Sequence, residues 1–171
     1  MKIMIASDIH GSAYYCRKLM KAYEHQKPDK LLLLGDLLYH GPRNDLPKEY
    51  NPKEVIAMLN EKKNEILCVR GNCDSEVDQM VLEFPCMSDS MMLFIDNLTI
   101  FATHGHLYNE TNLPPLKNGD ILLHGHTHVT TDRYIDGIRY LNPGSVSIPK
   151  QDTGHGYMIL ENGIFERFEL E

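Results

Sequence analysis

The 171-residue chain contains no tryptophan, no internal repeat and no low-complexity tract. Those absences exclude a solenoid, a propeller and a long disordered linker. It also lacks any run of basic residues: 17 Lys and Arg stand against 24 Asp and Glu, a net charge of −7. A stable nucleic-acid partner held through its phosphates is therefore not expected. A nucleotide-like substrate is not excluded by this, because a bound metal can supply positive charge locally. No apolar stretch is long enough to span a membrane. The apolar start, residues 3–6, is too short for a signal peptide, and Asp8 breaks it. The four cysteines (Cys16, Cys68, Cys73 and Cys86) do not have the spacing of a disulfide framework. They read as reduced thiols of a cytoplasmic protein. The length suits one domain, 1–171, with an ample core.

What is present is a series of short apolar runs, each stopping at a polar residue beside a glycine. Residues 2–6 predict a buried strand that ends at Asp8 and His10. A helix follows over 12–26. The unbroken apolar run 31–34 predicts a strand covered on both faces, as in a parallel sheet, and it ends at Asp36. Segment 37–52, with Pro42, Pro47 and Pro52, reads as an irregular substrate wall. Its Arg43 is either a phosphate contact or a solvated surface residue. A helix over 52–62, a strand over 66–69 ending at Asn72, and a short helix over 75–82 complete this half. From residue 90 onward hairpins take over: 91–95 with 98–103, 129–135 with 138–141, and 156–161 with 164–170 around Asn162-Gly163. A further strand, 120–124, precedes the second of these.

The chemistry is concentrated in histidine. Six of the nine histidines fall in Asp8-x-His10, His104-Gly105-His106 and His124-x-His126-x-His128. Residues two apart on an extended strand share a face, so each group reads as pointing one way, with Gly125 a place for the chain to bend. Taken singly, every group has an ordinary reading. Asp8 and Asp36 would serve as helix caps or turn residues, Gly71-Asn72 as a turn, and the His tract as a surface cluster. Taken together, with Asp36 and Asn72, they lie at five strand ends. That is too many ligands for one divalent ion and enough for two bridged by a carboxylate.

The order Asp8-x-His10, Gly35-Asp36, Gly71-Asn72, His104 and Gly125-His126-x-His128 resembles the calcineurin-like metallophosphoesterases, over 8–128. Segments 40–44, 70–80 and 142–150 look closer still to the YfcE-type phosphodiesterases, a short bacterial branch. The resemblance implies an α+β (α/β) fold, a four-layer αββα sandwich of two mixed sheets flanked by helices. It implies two divalent ions, manganese first, with iron, zinc or nickel as alternatives. Asp8, His10, Asp36 and His128 would hold one ion; Asp36, Asn72, His104 and His126 would hold the other. Asn72, His104, His106 and Cys73 are the residues expected to serve catalysis. The implied reaction is hydrolysis of a small phosphodiester by a hydroxide bridging the metals. A phosphomonoesterase or phosphoprotein phosphatase on the same site is the related option. A protein-binding scaffold of the same fold is the option from another class, although such scaffolds usually lack some of the ligands. A homodimer or homotetramer is in keeping with the resemblance.

One position departs from the wider family. Where many members carry a histidine proposed as general acid, this chain has Cys73. A buried thiol is a poor proton donor unless its pKa is shifted. The expectation is a preference for good leaving groups, or partial substitution by His106. Asp74 reads as a helix cap or as a residue that orients a ligand, Ser145 as a turn residue, and His124 as a strand-end residue that does not ligate directly. His25, His40 and His155 read as ordinary loop histidines, and the nine methionines as core fillers.

Overall fold

The first strand, β1 (Lys2–Ala6), shows how the molecule is layered. Its alternate residues enter two different cores. Met4 and Ala6 pack with Cys16, Leu19, Val55 and Leu59, while Ile3 and Ile5 pack with Ile100, Ile121 and Leu141. The parallel neighbour β2 (Lys30–Leu33) divides in the same way, Leu31 and Leu33 to one side, Leu32 to the other. This is why its run is apolar without interruption. The computed structural model describes residues 1–171 and contains two mixed five-stranded sheets. The first has the order β10-β9-β1-β2-β3, with β3 spanning Ile66–Cys68, β9 Gly156–Glu161 and β10 Ile164–Glu169. The second has the order β4-β5-β6-β8-β7. Its strands are β4 (Ser90–Ile95), β5 (Leu98–Thr103), β6 (Ile121–Leu123), β7 (Thr131–Ile135) and β8 (Ile138–Asn142).

Helices α1 (Ala13–Gln26) and α2 (Pro52–Asn60) cover the outer face of the first sheet, burying Cys16, Leu19 and Tyr23 from one and Val55 and Leu59 from the other. Each starts where its side chains require. The Ser12 hydroxyl accepts from the Tyr15 amide, and the Asn51 side chain from the Glu54 amide, with Pro52 at the first position. The short α3 (Glu76–Val81) is capped by Ser75 and lies at the end of α2, where Asn60 donates to the Val81 carbonyl. The outer face of the second sheet is closed differently. Phe101, Leu122, Ile138 and Tyr140 are covered by Tyr108 and Leu116, from the irregular segment 105–119. No helix lies in that segment.

The expected strands and helices are present, with ends differing by one or two residues. The methionines correct one expectation. Met4 and Met158 are buried, but Met80 is 82 % exposed and Met92 44 %.

Candidate metal centre

Five strands deliver their carboxyl-terminal loops to one edge of the sandwich. The loop after β1 carries Asp8 and His10, that after β2 Asp36, that after β3 Asn72, that after β5 His104, and that after β6 His126 and His128. The local geometry is not strand alternation, which corrects the sequence expectation. Asp8, His10, Asp36, His126 and His128 all have left-handed backbone, with φ of 59°, 49°, 55°, 66° and 60°. A side chain bearing Cβ disfavours that region, so neighbours must impose it. They do: the Asp8 amide donates to Gly35 O, the His10 amide to Asp36 O, and the Gly11 amide to Leu37 O. The two loops are thereby zipped together, and the chain turns at each ligand candidate to aim it inward.

The side chains converge closely. His128 Nε2 lies 3.1 Å from Asp8 Oδ1, and His10 Nε2 lies 3.5 Å from the same oxygen and 3.7 Å from Asp36 Oδ2. His10 Nε2 and His128 Nε2 are 3.1 Å apart. On the other side of Asp36, His104 Nε2 is 3.4 Å from Oδ2. Asn72 Oδ1 and His126 Nδ1 each approach that same His104 nitrogen to 3.2 Å. Backbone carbonyls set the rings: Nδ1 of His10, His104 and His128 bonds to Tyr39 O, Leu34 O and Ile148 O at 2.8, 2.7 and 2.7 Å. A carbonyl only accepts, so Nδ1 carries a hydrogen, and in the neutral ring Nε2 is left as a lone pair able to take a cation. His126 differs, presenting Nδ1 to the cluster.

These atoms fit a cation better than they fit one another. Lone pairs from two imidazoles face a carboxylate oxygen, Asp8 Oδ1, that is buried without a hydrogen-bond partner. The trio Asp8, His10 and His128, and the trio Asp8, Asp36 and His104, each bring ligand atoms within 4.8 Å of one another. A mixed nitrogen and oxygen set of this kind suits a divalent transition metal. The electrostatics agree. Burial works against charge on Asp8, yet the rings of His10 and His128 hold its carboxyl well below the usual range. Burial likewise opposes charge on His104, and Asp36 and Asp8 overcome it, raising the ring to about 9. His126 is lowered to about 4, by burial and then by His104. The buried carboxylates thus create a field that favours positive charge between them.

Several supporting residues surround the cluster; of the two readings of Asp74, helix cap or residue that orients a ligand, the second fits. Ser7 donates to Asp8 Oδ2 at 2.6 Å, and the His126 amide bonds to the same oxygen. Ser145 was expected to be only a turn residue; its hydroxyl donates to Asp8 O at 2.8 Å and accepts from the Ile148 amide. Asp74 is no helix cap. Its carboxylate accepts from the amides of Asp36, Leu37 and Gly71 at 2.7–2.8 Å, tying the β2 and β3 loops together. Two glycines are required by close approach. A Cβ on Gly71 would lie 2.1 Å from Asp36 Oδ1, and one on Gly125 1.9 Å from Ser7 Oγ. The Gly in each motif therefore has a steric reason, which was the available signal. Nothing in the sequence links Ser145 to Asp8.

The remaining candidates lie around this cluster. Cys73 gives its backbone amide to Asp36 Oδ1 at 2.8 Å, and its thiol lines the cleft over the site. Burial, then Asp36, pushes that thiol up. His106 is half-buried, with its ring 5.4 Å from that of His104 and its Nδ1 without a partner, and it does not line the cleft. His124 is buried behind the site, its Nδ1 3.1 Å from Gly125 O. The cleft has a volume of about 350 Å³, and segment 41–44 forms one wall of it, as expected for the irregular loop. His155 is not an ordinary loop residue: it stacks on Tyr15 at 3.8 Å.

Comparison with known proteins gives a consistent result. Residues 1–163 match the model of the calcineurin-like phosphoesterase superfamily domain. The chain is 44% identical over 170 residues to the phosphodiesterase YfcE of Escherichia coli (strain K12), spanning 99% of this chain and 92% of that protein. A solved structure of YfcE, a phosphoesterase from E. coli, superposes with a TM-score of 0.97 at 43% identity, covering 100% of this chain and 94% of the other. A mutant of Vps29 from Entamoeba histolytica shares the fold, with a TM-score of 0.62 at 21% identity over 100% of both chains. No helix of the chain is long and apolar enough to cross a membrane.

Proposed function

The chain belongs to the calcineurin-like phosphoesterase superfamily, and on that premise we propose that it is a metal-dependent phosphodiesterase acting on a small phosphodiester. The observation that carries this reading is the convergence of His10, His128 and the unpartnered Asp8 Oδ1 beside Asp36 and His104. Asp8, His10, Asp36 and His128 would hold one divalent ion. Asp36, Asn72, His104 and His126 would hold a second, with Asp36 shared. By likeness to the family, manganese is the first choice, with iron, zinc or nickel as alternatives. When bound, the two ions supply Lewis-acid charge to the phosphoryl oxygens and make a water nucleophilic near neutral pH.

The chain's own groups do the rest. The carbonyls of Leu34, Tyr39 and Ile148 fix the rings before substrate arrives, so no reorganisation is needed during reaction. Ser7 and the His126 amide occupy Asp8 Oδ2, which leaves Oδ1 for the site. Asn72 is exposed on the cleft side, where a phosphoryl oxygen enters. Water adds to phosphorus, one P–O bond breaks, and the departing alcohol takes a proton. Cys73, on the cleft wall, would give that proton, and a thiol gives it reluctantly; His106 does not line the cleft. Good leaving groups are therefore favoured. The four free cysteines fit a reducing compartment, the cytoplasm.

The test is a pair of substrates. Manganese-loaded protein is expected to hydrolyse bis(4-nitrophenyl) phosphate faster than 4-nitrophenyl phosphate, and to lose both activities on chelation. Faster turnover of the monoester would replace this reading by the phosphatase one. No turnover of either ester by folded, metal-loaded protein would leave the scaffold reading.

A further inference from the structure

Arg43 is set apart from the other arginines. Arg17, Arg70, Arg133, Arg139 and Arg167 each pair with a carboxylate. Arg43 pairs with none, although acidic residues outnumber basic ones by 24 to 17. It lines the cleft over the metal centre, and so does Lys150, which also forms no ion pair. The two come from opposite halves of the chain, one after β2 and one after β8.

Neither cation sits on a loose strap. The Asn44 side chain donates to His40 O at 2.8 Å and the Asn44 amide to Gly41 O, which closes the turn bearing Arg43. The preceding residue, Tyr39, is the one whose carbonyl orients His10. The Lys150 amide donates to His128 O at 3.0 Å, and Thr153 Oγ1 to Lys150 O at 2.8 Å. One loop is thus anchored to the His10 ring and the other to the His128 backbone, which fixes the spacing between the centre and the two cations.

The rest of the cleft wall is polar. Its one hydrophobic contributor is small, and no Leu, Ile, Val, Met, Phe, Tyr or Trp lines it. An acyl chain would find no apolar surface there, and a nucleobase would find only Arg43 and the imidazoles of the metal centre to stack on. Charge counting points the same way. Two divalent ions are balanced by Asp8, Asp36, the nucleophile and the single charge of a diester. Arg43 and Lys150 are then in excess.

We propose that this cleft selects phosphodiesters whose retained arm carries a second negative group, a phosphate or carboxylate, and that Arg43 and Lys150 bind that group. The inference rests on the phosphodiesterase reading and narrows its substrate class to diesters with a second anionic group. A guanidinium grips such a group in two-pronged fashion, with an ammonium beside it as a point charge.

The test uses three 4-nitrophenyl phosphodiesters with one leaving group and different second arms: methyl, choline and 2-phosphoethyl. At low ionic strength the manganese-loaded protein is expected to show kcat/KM for the phosphoethyl ester at least about a hundredfold above that for the choline ester. Arg43→Gln and Lys150→Gln should each lower the phosphoethyl value about tenfold, through KM, and the methyl value by less than about threefold. Equal kcat/KM for the three esters overturns the inference and leaves the phosphodiesterase reading intact. So does an equal loss on all three in the variants, which would place the cations on the reacting phosphoryl instead. If no ester is hydrolysed, the phosphodiesterase reading fails, and calorimetry on the metal-loaded protein decides the cleft's preference. The non-hydrolysable 2-phosphoethyl methylphosphonate should then bind the double variant at least about tenfold more weakly. Equal affinities would overturn the inference.

Discussion

The two halves of the metal centre are built from unequal material. Asp8, His10 and His128 are buried, at 0, 0 and 3 % exposure, with His128 alone of the three lining the cleft, and they bring a carboxylate of their own in addition to Asp36. The other half has His104 buried, but Asn72 is exposed, His126 is half-buried, and Asp36 is its one carboxylate. An amide and two imidazoles around one shared charge hold a divalent ion less tightly than two carboxylates do. Low exposure also slows exchange with water. The inner half would therefore be the part that retains an ion, and the outer half the part that meets substrate. The division follows from which loops lie deep. The β1 and β2 loops are zipped to each other along their backbones, whereas Asn72 stands at the cleft mouth.

The largest effects should come from dismantling that asymmetry. Asp36→Asn removes the shared charge, and both ions are expected to weaken, with kcat/KM lower by about 10³-fold. Metal analysis after gel filtration should find less than one ion per chain. His128→Ala should release the inner ion. His126→Ala should release the outer ion alone and keep close to one per chain. In the unmodified protein a chelator should remove the outer ion first, giving two phases of metal loss. A single phase, or equal metal loss from His126→Ala and His128→Ala, would show that the two halves do not differ as argued.

Cys73 sharpens the comparison at the outer side. Its amide serves Asp36 while its thiol faces the cleft, so a change of side chain alters what the leaving oxygen meets. Cys73→His should raise turnover of an alkyl diester relative to an aryl diester by at least about tenfold, within the usual range for general acid catalysis. An unchanged ratio means that the leaving alcohol departs elsewhere.

Much of this was legible in the chain itself, and the misses have physical causes. The unbroken run at Leu31–Leu34 reveals a strand covered on both faces, because only burial on both sides tolerates Leu at consecutive positions. The hairpin at Asn162-Gly163 is legible from turn chemistry alone, and both residues are left-handed there. The ligand candidates stood out by type and order. Their backbone did not, since alternation along a strand is a poor guide once five residues adopt left-handed geometry. Ser145 bonding to Asp8 O spans 137 positions, and Asp74 bonding to the Asp36 amide spans 38, so no local pattern carries either. The cover over the second sheet was also hidden, because segment 105–119 buries Tyr108 and Leu116 without helical periodicity.

The smallest effect on activity is expected at the residue that most resembles a ligand without acting as one. His124 precedes Gly125-His126-x-His128 and is 5 % exposed, but it belongs to none of the groups whose ligand atoms converge. Its Nδ1 approaches Gly125 O at 3.1 Å, and that carbonyl is already held by Asn142 Nδ2 at 2.8 Å. Asn142 also reaches Thr127 Oγ1 at 3.0 Å and His124 Nδ1 at 3.3 Å, so the bend between His126 and His128 keeps the bonds to Gly125 O and Thr127 when His124 is removed. His124→Ala should then leave a cavity and cost about 1–3 kcal/mol of stability, read as a lower melting temperature. Metal content should stay at the parent value, and kcat/KM at moderate temperature should fall by less than about tenfold. A loss of activity or metal as large as that of His126→Ala would move His124 into the ion-holding set. It would also break the division into a buried inner half and an open outer one, because the ring lies on neither side as that division draws it.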